Sequence, residues 1–165
     1  MILDLLTYEN WETYKHVIFD ILYANMNELL PTGNSKEQDF LIWSQYCCQA
    51  LEKDTQILLC HEEDDLIGYC QFRVDGDTFC LDEIELKKEF QQKGILKILL
   101  RHLINCVLPQ DLQWIEAHVN HKNQRSIAIL THWGMQPVSS NKAGTRWCYR
   151  GEYSYLRNLY QDNHL

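Results

Sequence analysis

The apolar residues of this chain change their spacing along the sequence, and these changes restrict the fold more than any other feature. Over residues 9–30 and 40–51 they recur at the three- and four-residue intervals of amphipathic helices. Over residues 55–86 they occur in three β-rich runs instead. The pattern therefore predicts two helices followed by three strands.

Short polar turns separate the three predicted strands, which cover residues 55–60, 66–74 and 78–86. An acidic cluster over 62–65 lies between the first and the second. The second and third are separated by residues 75–77, whose sequence Asp-Gly-Asp favours a tight hairpin turn. We therefore expect consecutive strands to be antiparallel neighbours.

The second half of the chain alternates helices and strands. The predicted elements are a helix over 94–107, a strand over 112–119, a helix over 123–133 and a strand over 145–150. Pro109 ends the first of these helices, and Gly134 takes the position of a C-cap glycine after the second. With a first strand over 1–6, this order predicts one α/β domain of mixed α+β type over 1–165, although the tail 151–165 has no interpretable pattern.

Length and charge narrow the function. A chain of 165 residues can bury one sizeable core. Its formal net charge of −8 argues against a nucleic-acid surface, which needs clustered Lys and Arg. The same charge is compatible with a cationic acceptor such as an amine, although acidic proteins are also common for solubility alone.

The sequence predicts a cytoplasmic protein that does not enter a membrane. Its longest apolar-rich stretch, over 95–108, is too short and too polar to span a bilayer. The first residues lack the basic region of a signal peptide. The seven cysteines are odd in number and form no C-x-x-C pair, which favours reduced, structural thiols.

Two other kinds of chemistry lack support in the sequence. His118 and His121 flank a predicted strand end, but a metal site would need further ligands at fixed spacing, so no metal is expected. Cys47 and Cys48 have no local signature of a catalytic nucleophile.

The turn between the strand over 78–86 and the helix over 94–107 has the features of an anion site. The amides at a helix N-terminus favour a bound anion, and Gly94 would let a phosphate approach the backbone. Lys93 adds positive charge. Many strand-to-helix turns contain one glycine, so this turn alone is also compatible with simple packing.

A second segment strengthens this interpretation. Residues 123–135, which begin with Asn123 and end in Trp133-Gly134-Met135, closely resemble a segment of the GNAT superfamily of acyltransferases. Residues 91–96, Gln-Gln-Lys-Gly-Ile-Leu, then resemble the acyl-CoA signature of that superfamily, [Q/R]-x-x-G-x-[G/A]. Gln91 and Gly94 match the signature, and Leu96 departs from its last small position.

The resemblance implies a mixed, mostly antiparallel sheet with about four flanking helices, in which the fourth and fifth strands splay apart around acetyl-CoA. Main-chain groups around Ile84 and Leu86 would pair with the pantetheine arm, and Asn123 would face the cofactor. The diphosphate would be held by the amides of the following turn, which are those of Gln92, Lys93, Gly94, Ile95 and Leu96.

The same resemblance implies an N-acyltransferase in which an amine attacks the thioester directly. The acceptor would be a small amine or a protein amine, and the chain could form a homodimer. An alternative is a GNAT-like module that binds acyl-CoA or a partner protein without turnover.

Asp82 and Glu83 are the candidate catalytic acids. Strand alternation places them on opposite faces, and Glu83 is favoured because Cys80, Asp82, Ile84 and Leu86 form the other face. A solvated strand acid is an equally good interpretation.

The proton donor for the departing thiolate is not apparent in the sequence. Many relatives have a tyrosine at the position of Leu130, which has no proton to donate. Thr131, His132 and Cys80 are nearby alternatives, and a thiolate can also leave without a protein donor because its pKa is near the working pH.

Overall fold

The structure is a computed structural model that describes residues 1–161. The chain forms two compact units. The first contains Met1–Gln71 and Glu83–Ile95, and the second contains Phe72–Asp82 and the described residues from Leu96 onward.

Seven strands follow the hydrogen-bonding order β1-β2-β3-β4-β5-β7-β6 within the described residues. They are β1 (Ile2–Leu5), β2 (Gln56–Glu62), β3 (Asp65–Asp75), β4 (Thr78–Leu86), β5 (Trp114–Asn120), β6 (Gln136–Ser140) and β7 (Arg146–Glu152). The sheet is mostly antiparallel, with one parallel pair in which Thr78–Leu81 of β4 match Trp114–Ala117 of β5. The predicted splay of these two strands beyond Leu81 stays a prediction.

The described residues contain five α-helices, one more than the expected four. They are α1 (Trp11–Met26), α2 (Lys36–Lys53), α3 (Ile95–His102), α4 (Gln124–His132) and α5 (Tyr153–Tyr160). Two 3₁₀ turns, at Tyr8–Asn10 and Lys88–Phe90, precede α1 and α3. None of these helices has the length and the hydropathy needed to cross a membrane.

In the first unit, α1 and α2 cover the apolar side chains of the neighbouring strands. Its buried cluster comprises Trp11, Ile18, Ile21, Cys47, Ile57, Leu59, Leu66 and Tyr69. Helix α2 begins at Lys36, before the predicted residue 40, because Ser35 and Gln38 form a reciprocal capping box. This cap fixes the start of the helix in a segment that reads as a turn in the sequence.

In the second unit, α5 packs on the sheet through Tyr153, whose ring meets Phe79 edge-to-face at 6.5 Å between centroids. The sequence did not predict this helix, which lies in the tail 151–165; residues 162–165 of that tail are outside the described residues. Strand β6 was also missed, because it is exposed throughout and contains Pro137. Proline is tolerated there because β6 is the last strand of the sheet.

The helix predicted over 94–107 is not α-helical throughout. After His102 the chain widens into a π-helix over Leu103–Val107. Pro109 follows directly after Leu108, which ends this segment. The predicted helix over 123–133 is confirmed, and Gly134 follows it with φ of 76°, as expected for a C-cap glycine.

Candidate active site

The turn between β4 and α3 has an unusual backbone. Gln92 has φ of 62° and Gly94 has φ of 80°, while Lys93 between them keeps an ordinary negative φ. Alternation of this kind directs successive N–H groups toward a common side and forms a concavity that attracts anions. Helix α3 begins at Ile95, directly after this turn, and the amides at a helix N-terminus also attract anions.

The surface over this turn is open. A Cβ added to Gly94 would meet no atom within 4 Å, and Gln92, Lys93 and Gly94 are all exposed. Lys93 contributes a positive charge, with Nζ 5.5 Å from the centroid of the Phe90 ring. Glycine is therefore needed at position 94 for its left-handed conformation, and the space beside it can accept a phosphate.

Side chains bind the turn to the end of β4. Gln91 Nε2 donates to the carbonyl oxygen of Leu86 at 3.0 Å and to Asn25 Oδ1 at 3.3 Å. Asn25 Nδ2 donates to the same Leu86 oxygen at 2.9 Å and to Glu85 Oε2 at 2.7 Å. Gln91 therefore fixes the shape of the turn through its side chain, and Asn25 of α1, which the sequence did not single out, connects the helix to this site.

Glu83 is held by a buried phenol. The hydroxyl of Tyr69, on β3, donates to Glu83 Oε2 at 2.7 Å, and Tyr69 is completely buried. Burial, followed by the charges of Glu83 and Glu85, raises the pKa of the Tyr69 phenol well above its ordinary value. Tyr69 therefore stays protonated and keeps donating to the carboxylate.

Glu85 is a second carboxylate on the same side of β4 as Glu83, because the two residues are separated by one position. Neither Glu85 nor Tyr69 is a candidate site residue from the sequence alone. The hairpin could have revealed Tyr69, since Tyr69 and Glu83 are equally far from Gly76 on its two strands.

Close packing fixes the backbone at this end of β4. A Cβ added to Gly68 of β3 would collide with the Leu86 side chain and would lie 2.7 Å from the Glu85 carbonyl oxygen. The main-chain N–H of Lys87 also donates a hydrogen bond to the carbonyl oxygen of Ile67 at 2.8 Å. The site therefore lies on rigid backbone, with Ile84 half-buried between Glu83 and Glu85.

Three predicted site residues belong to the second unit, namely Asp82, Leu96 and Asn123. Asp82 is exposed, and Leu96 is half-buried on α3. Asn123 is the N-cap of α4, because its Oδ1 accepts from the Ser126 N–H at 3.1 Å. Its contact with the cofactor stays a prediction.

Leu130 and the three candidate thiolate proton donors have different environments. Leu130 is 5% exposed, so it is part of the core. The hydroxyl of Thr131 donates a hydrogen bond to the carbonyl oxygen of Ile127 at 2.8 Å, and His132 is exposed. Burial raises the pKa of the Cys80 thiol, which keeps it protonated.

The sequence matches one protein-family model over most of its length. The model of the acetyltransferase (GNAT) family matches residues 16–135, which is well over half of the chain. The chain therefore belongs to the GNAT acetyltransferase family. No curated protein sequence matches it.

Solved structures share the fold over nearly the whole chain. The PaiA N-acetyltransferase of Thermoplasma acidophilum, in complex with coenzyme A, has a TM-score of 0.68 at 18% identity, covering 93% of this chain and 100% of its own. The ribosomal-protein-S18-alanine N-acetyltransferase of Escherichia coli has a TM-score of 0.64 and a sequence identity of 13%, and the match covers 92% of each chain. A mutant of the spermidine N-acetyltransferase SpeG from Vibrio cholerae has a TM-score of 0.61 and a sequence identity of 13%, and the match covers 96% of each chain.

Proposed function

We propose that this protein is an N-acetyltransferase that transfers the acetyl group of acetyl-CoA to a primary amine. The main support is the turn after β4, where left-handed Gln92 and Gly94 flank Lys93 on an open surface. This arrangement suits a diphosphate, and it occurs in a member of the GNAT acetyltransferase family.

In this proposal the main chain of the turn binds the diphosphate. The amides of Gln92, Lys93 and Gly94, followed by those of Ile95 and Leu96, supply the hydrogen bonds, and the Lys93 ammonium adds charge. The Leu86 carbonyl already accepts from two side chains. Pairing with the pantetheine arm therefore falls to other main-chain groups between Ile84 and Leu86.

Glu83 is the proposed base. The amine must lose a proton before its nitrogen attacks the thioester carbonyl carbon, and Glu83 accepts that proton directly or through a water molecule. The hydrogen bond from Tyr69 fixes the orientation of the carboxylate. Glu85, on the same side of the strand, is next in line, and the exposed Asp82 follows.

After the attack, the nitrogen of the tetrahedral intermediate loses its second proton to water, the C–S bond breaks, and coenzyme A leaves as a thiolate. Leu130 cannot protonate this thiolate. The thiolate of coenzyme A is stable enough near neutral pH to leave and to take its proton from solvent. The reaction is then direct transfer within a ternary complex, without a covalent enzyme intermediate.

The proposed acceptor is a small amine or a protein amine. Two of the similar structures are named for spermidine and for the alanine of a ribosomal protein, a small amine and a protein amine. The net charge of −8 favours an acceptor that carries positive charge. We expect cytoplasmic polyamines and basic peptide N-termini to be the most informative acceptors to assay.

The second candidate is a module that binds acetyl-CoA without turnover, which the departures at Leu96 and Leu130 favour. Measuring release of free coenzyme A thiol across a panel of amines separates the two. Acetyl-CoA-dependent release that requires an amine and falls in Glu83→Gln supports the enzyme. Binding of acetyl-CoA without release for any polyamine, amino acid or peptide amine supports the module.

A further inference from the structure

One face of the second unit carries ionisable side chains on neighbouring strands. Glu116 and His118 point to the same side of β5, since they are two residues apart. In the antiparallel register with β7, Glu116 lies opposite Arg150 and His118 lies opposite Cys148. Four chemically different groups thus meet on two adjacent strands.

Three of these groups come together closely. One carboxylate oxygen of Glu116, one ring nitrogen of His118 and the Cys148 sulfur all lie within 4.8 Å of one another. Ligand atoms around a tetrahedral zinc ion are about 3–4 Å apart, given metal–ligand distances of about 2.0–2.3 Å. Small rotations of the side chains would therefore suffice to bring the three groups onto one ion.

The surroundings supply an outer partner for the carboxylate. Arg150 Nη1 lies 3.3 Å from Glu116 Oε2, and its guanidinium lies 4.7 Å from the centroid of the Trp114 ring. Carboxylate ligands of metals are commonly oriented by such hydrogen-bonding partners. Arg150 can therefore orient the Glu116 carboxylate.

We propose that Glu116, His118 and Cys148 form a binding site for a divalent transition metal ion of the zinc class. A thiolate, an imidazole and a carboxylate together select zinc over magnesium or calcium, which prefer oxygen ligands alone. Three protein ligands leave a fourth position for water or another donor.

The proposed site differs from the expectation from the sequence that the chain binds no metal. In the sequence, Glu116 and His118 do not stand out as a metal-binding pair, because the third group, Cys148, is on β7 and lies opposite His118 only through the strand register. His118 is exposed and Glu116 is half-buried, so an ion can reach the site from solvent, while Cys148 is buried, with 7% of its surface exposed.

The test uses the full-length protein, reduced and stripped of metal with a chelator. Zn²⁺ is titrated by calorimetry, and Co²⁺ is titrated by absorption, where a thiolate-to-cobalt charge-transfer band reports a cysteine ligand. We expect one ion per chain. His118→Ala and Cys148→Ser should each weaken binding at least about 100-fold, because losing a ligand should exceed the effect of losing an outer partner.

Matched controls are Cys106→Ser and His121→Ala, which change an exposed cysteine and an exposed histidine outside the cluster. Both should bind Zn²⁺ as the wild type does, and Zn²⁺ should raise their melting temperature. Because His118 is exposed, His118→Ala should keep its fold even if Cys148→Ser does not. Wild-type protein without the cobalt–thiolate band, or His118→Ala with wild-type affinity, would overturn the proposal.

Discussion

The turn after β4 and the face of β5 and β7 are both suited to ligand binding, but they are built from different parts of the chain. At the turn, left-handed Gln92 and Gly94 arrange main-chain amides, and Gln91 fixes that backbone from the side. On β5 and β7, the strand register brings the side chains of His118 and Cys148 together. Ligand binding at the turn therefore depends on backbone conformation, whereas ligand binding on β5 and β7 depends on individual side chains.

This difference determines which substitutions matter. A site made of amides should tolerate the loss of nearby side chains and fail when its backbone conformation or its open space is lost. A site made of side chains should fail when one of them is truncated. Substitutions of Glu83 and Tyr69 should therefore lower turnover and leave acetyl-CoA binding at the turn intact.

The largest effect is expected from Glu83→Gln. Removal of a general base should lower kcat/KM roughly 10²–10⁴-fold. The loss should be greatest at low pH, where the amine is largely protonated. Steady-state rates across a pH series, with acetyl-CoA affinity measured separately, check both statements.

Glu85→Gln and Asp82→Asn are the controls for Glu83→Gln. Both should keep most of the activity. Full activity of Glu83→Gln across the pH range, with a large loss in Glu85→Gln, would assign the proton transfer to Glu85 instead.

A smaller effect is expected from Tyr69→Phe. Without the hydroxyl, Glu83 loses the donor that lies 2.7 Å from its oxygen. We expect kcat to fall about tenfold, KM for acetyl-CoA to stay the same, and the free energy of unfolding to drop by about 1 kcal/mol. The exposed Tyr46→Phe should leave all three unchanged. A rise in KM alone would show that Tyr69 supports binding and does not position the base.

The smallest effect is expected from Leu130→Tyr in the second unit. Leu130 is buried, so the larger ring must disturb its packing, and the rate should stay level or fall. Single-turnover and steady-state rates with the same amine measure this. A tenfold gain would mean that thiolate protonation limits the reaction, contrary to the proposed departure of an unprotonated thiolate.

The sequence was sufficient where local signals are strong. Strand β4 has the predicted bounds, because a hairpin turn precedes it and two lysines follow it. Helix α4 is likewise marked at both ends, by Asn123 and Gly134. Signals of this kind depend on a few neighbouring residues, so one sequence suffices to read them.

Long-range relations were not readable in the same way. Asn25 reaches Glu85 and Leu86 from a distant helix, and Cys148 meets His118 only through strand pairing. Strand β6 lacks an apolar pattern because it is exposed along its length. The assignment of residues 1–165 to a single domain stays a prediction.

The central claim is that the turn after β4 binds the diphosphate of acetyl-CoA. Its most direct test is calorimetric titration of acetyl-CoA into wild type, Gly94→Glu and Gly76→Glu. Gly94 and Gly76 both have positive φ and open surroundings, so the two changes impose comparable backbone strain and add the same charge. We expect wild type and Gly76→Glu to bind alike, with acetyl-CoA raising the melting temperature of both, and Gly94→Glu to lose binding and the thermal shift. Equal affinity in all three proteins would contradict the account.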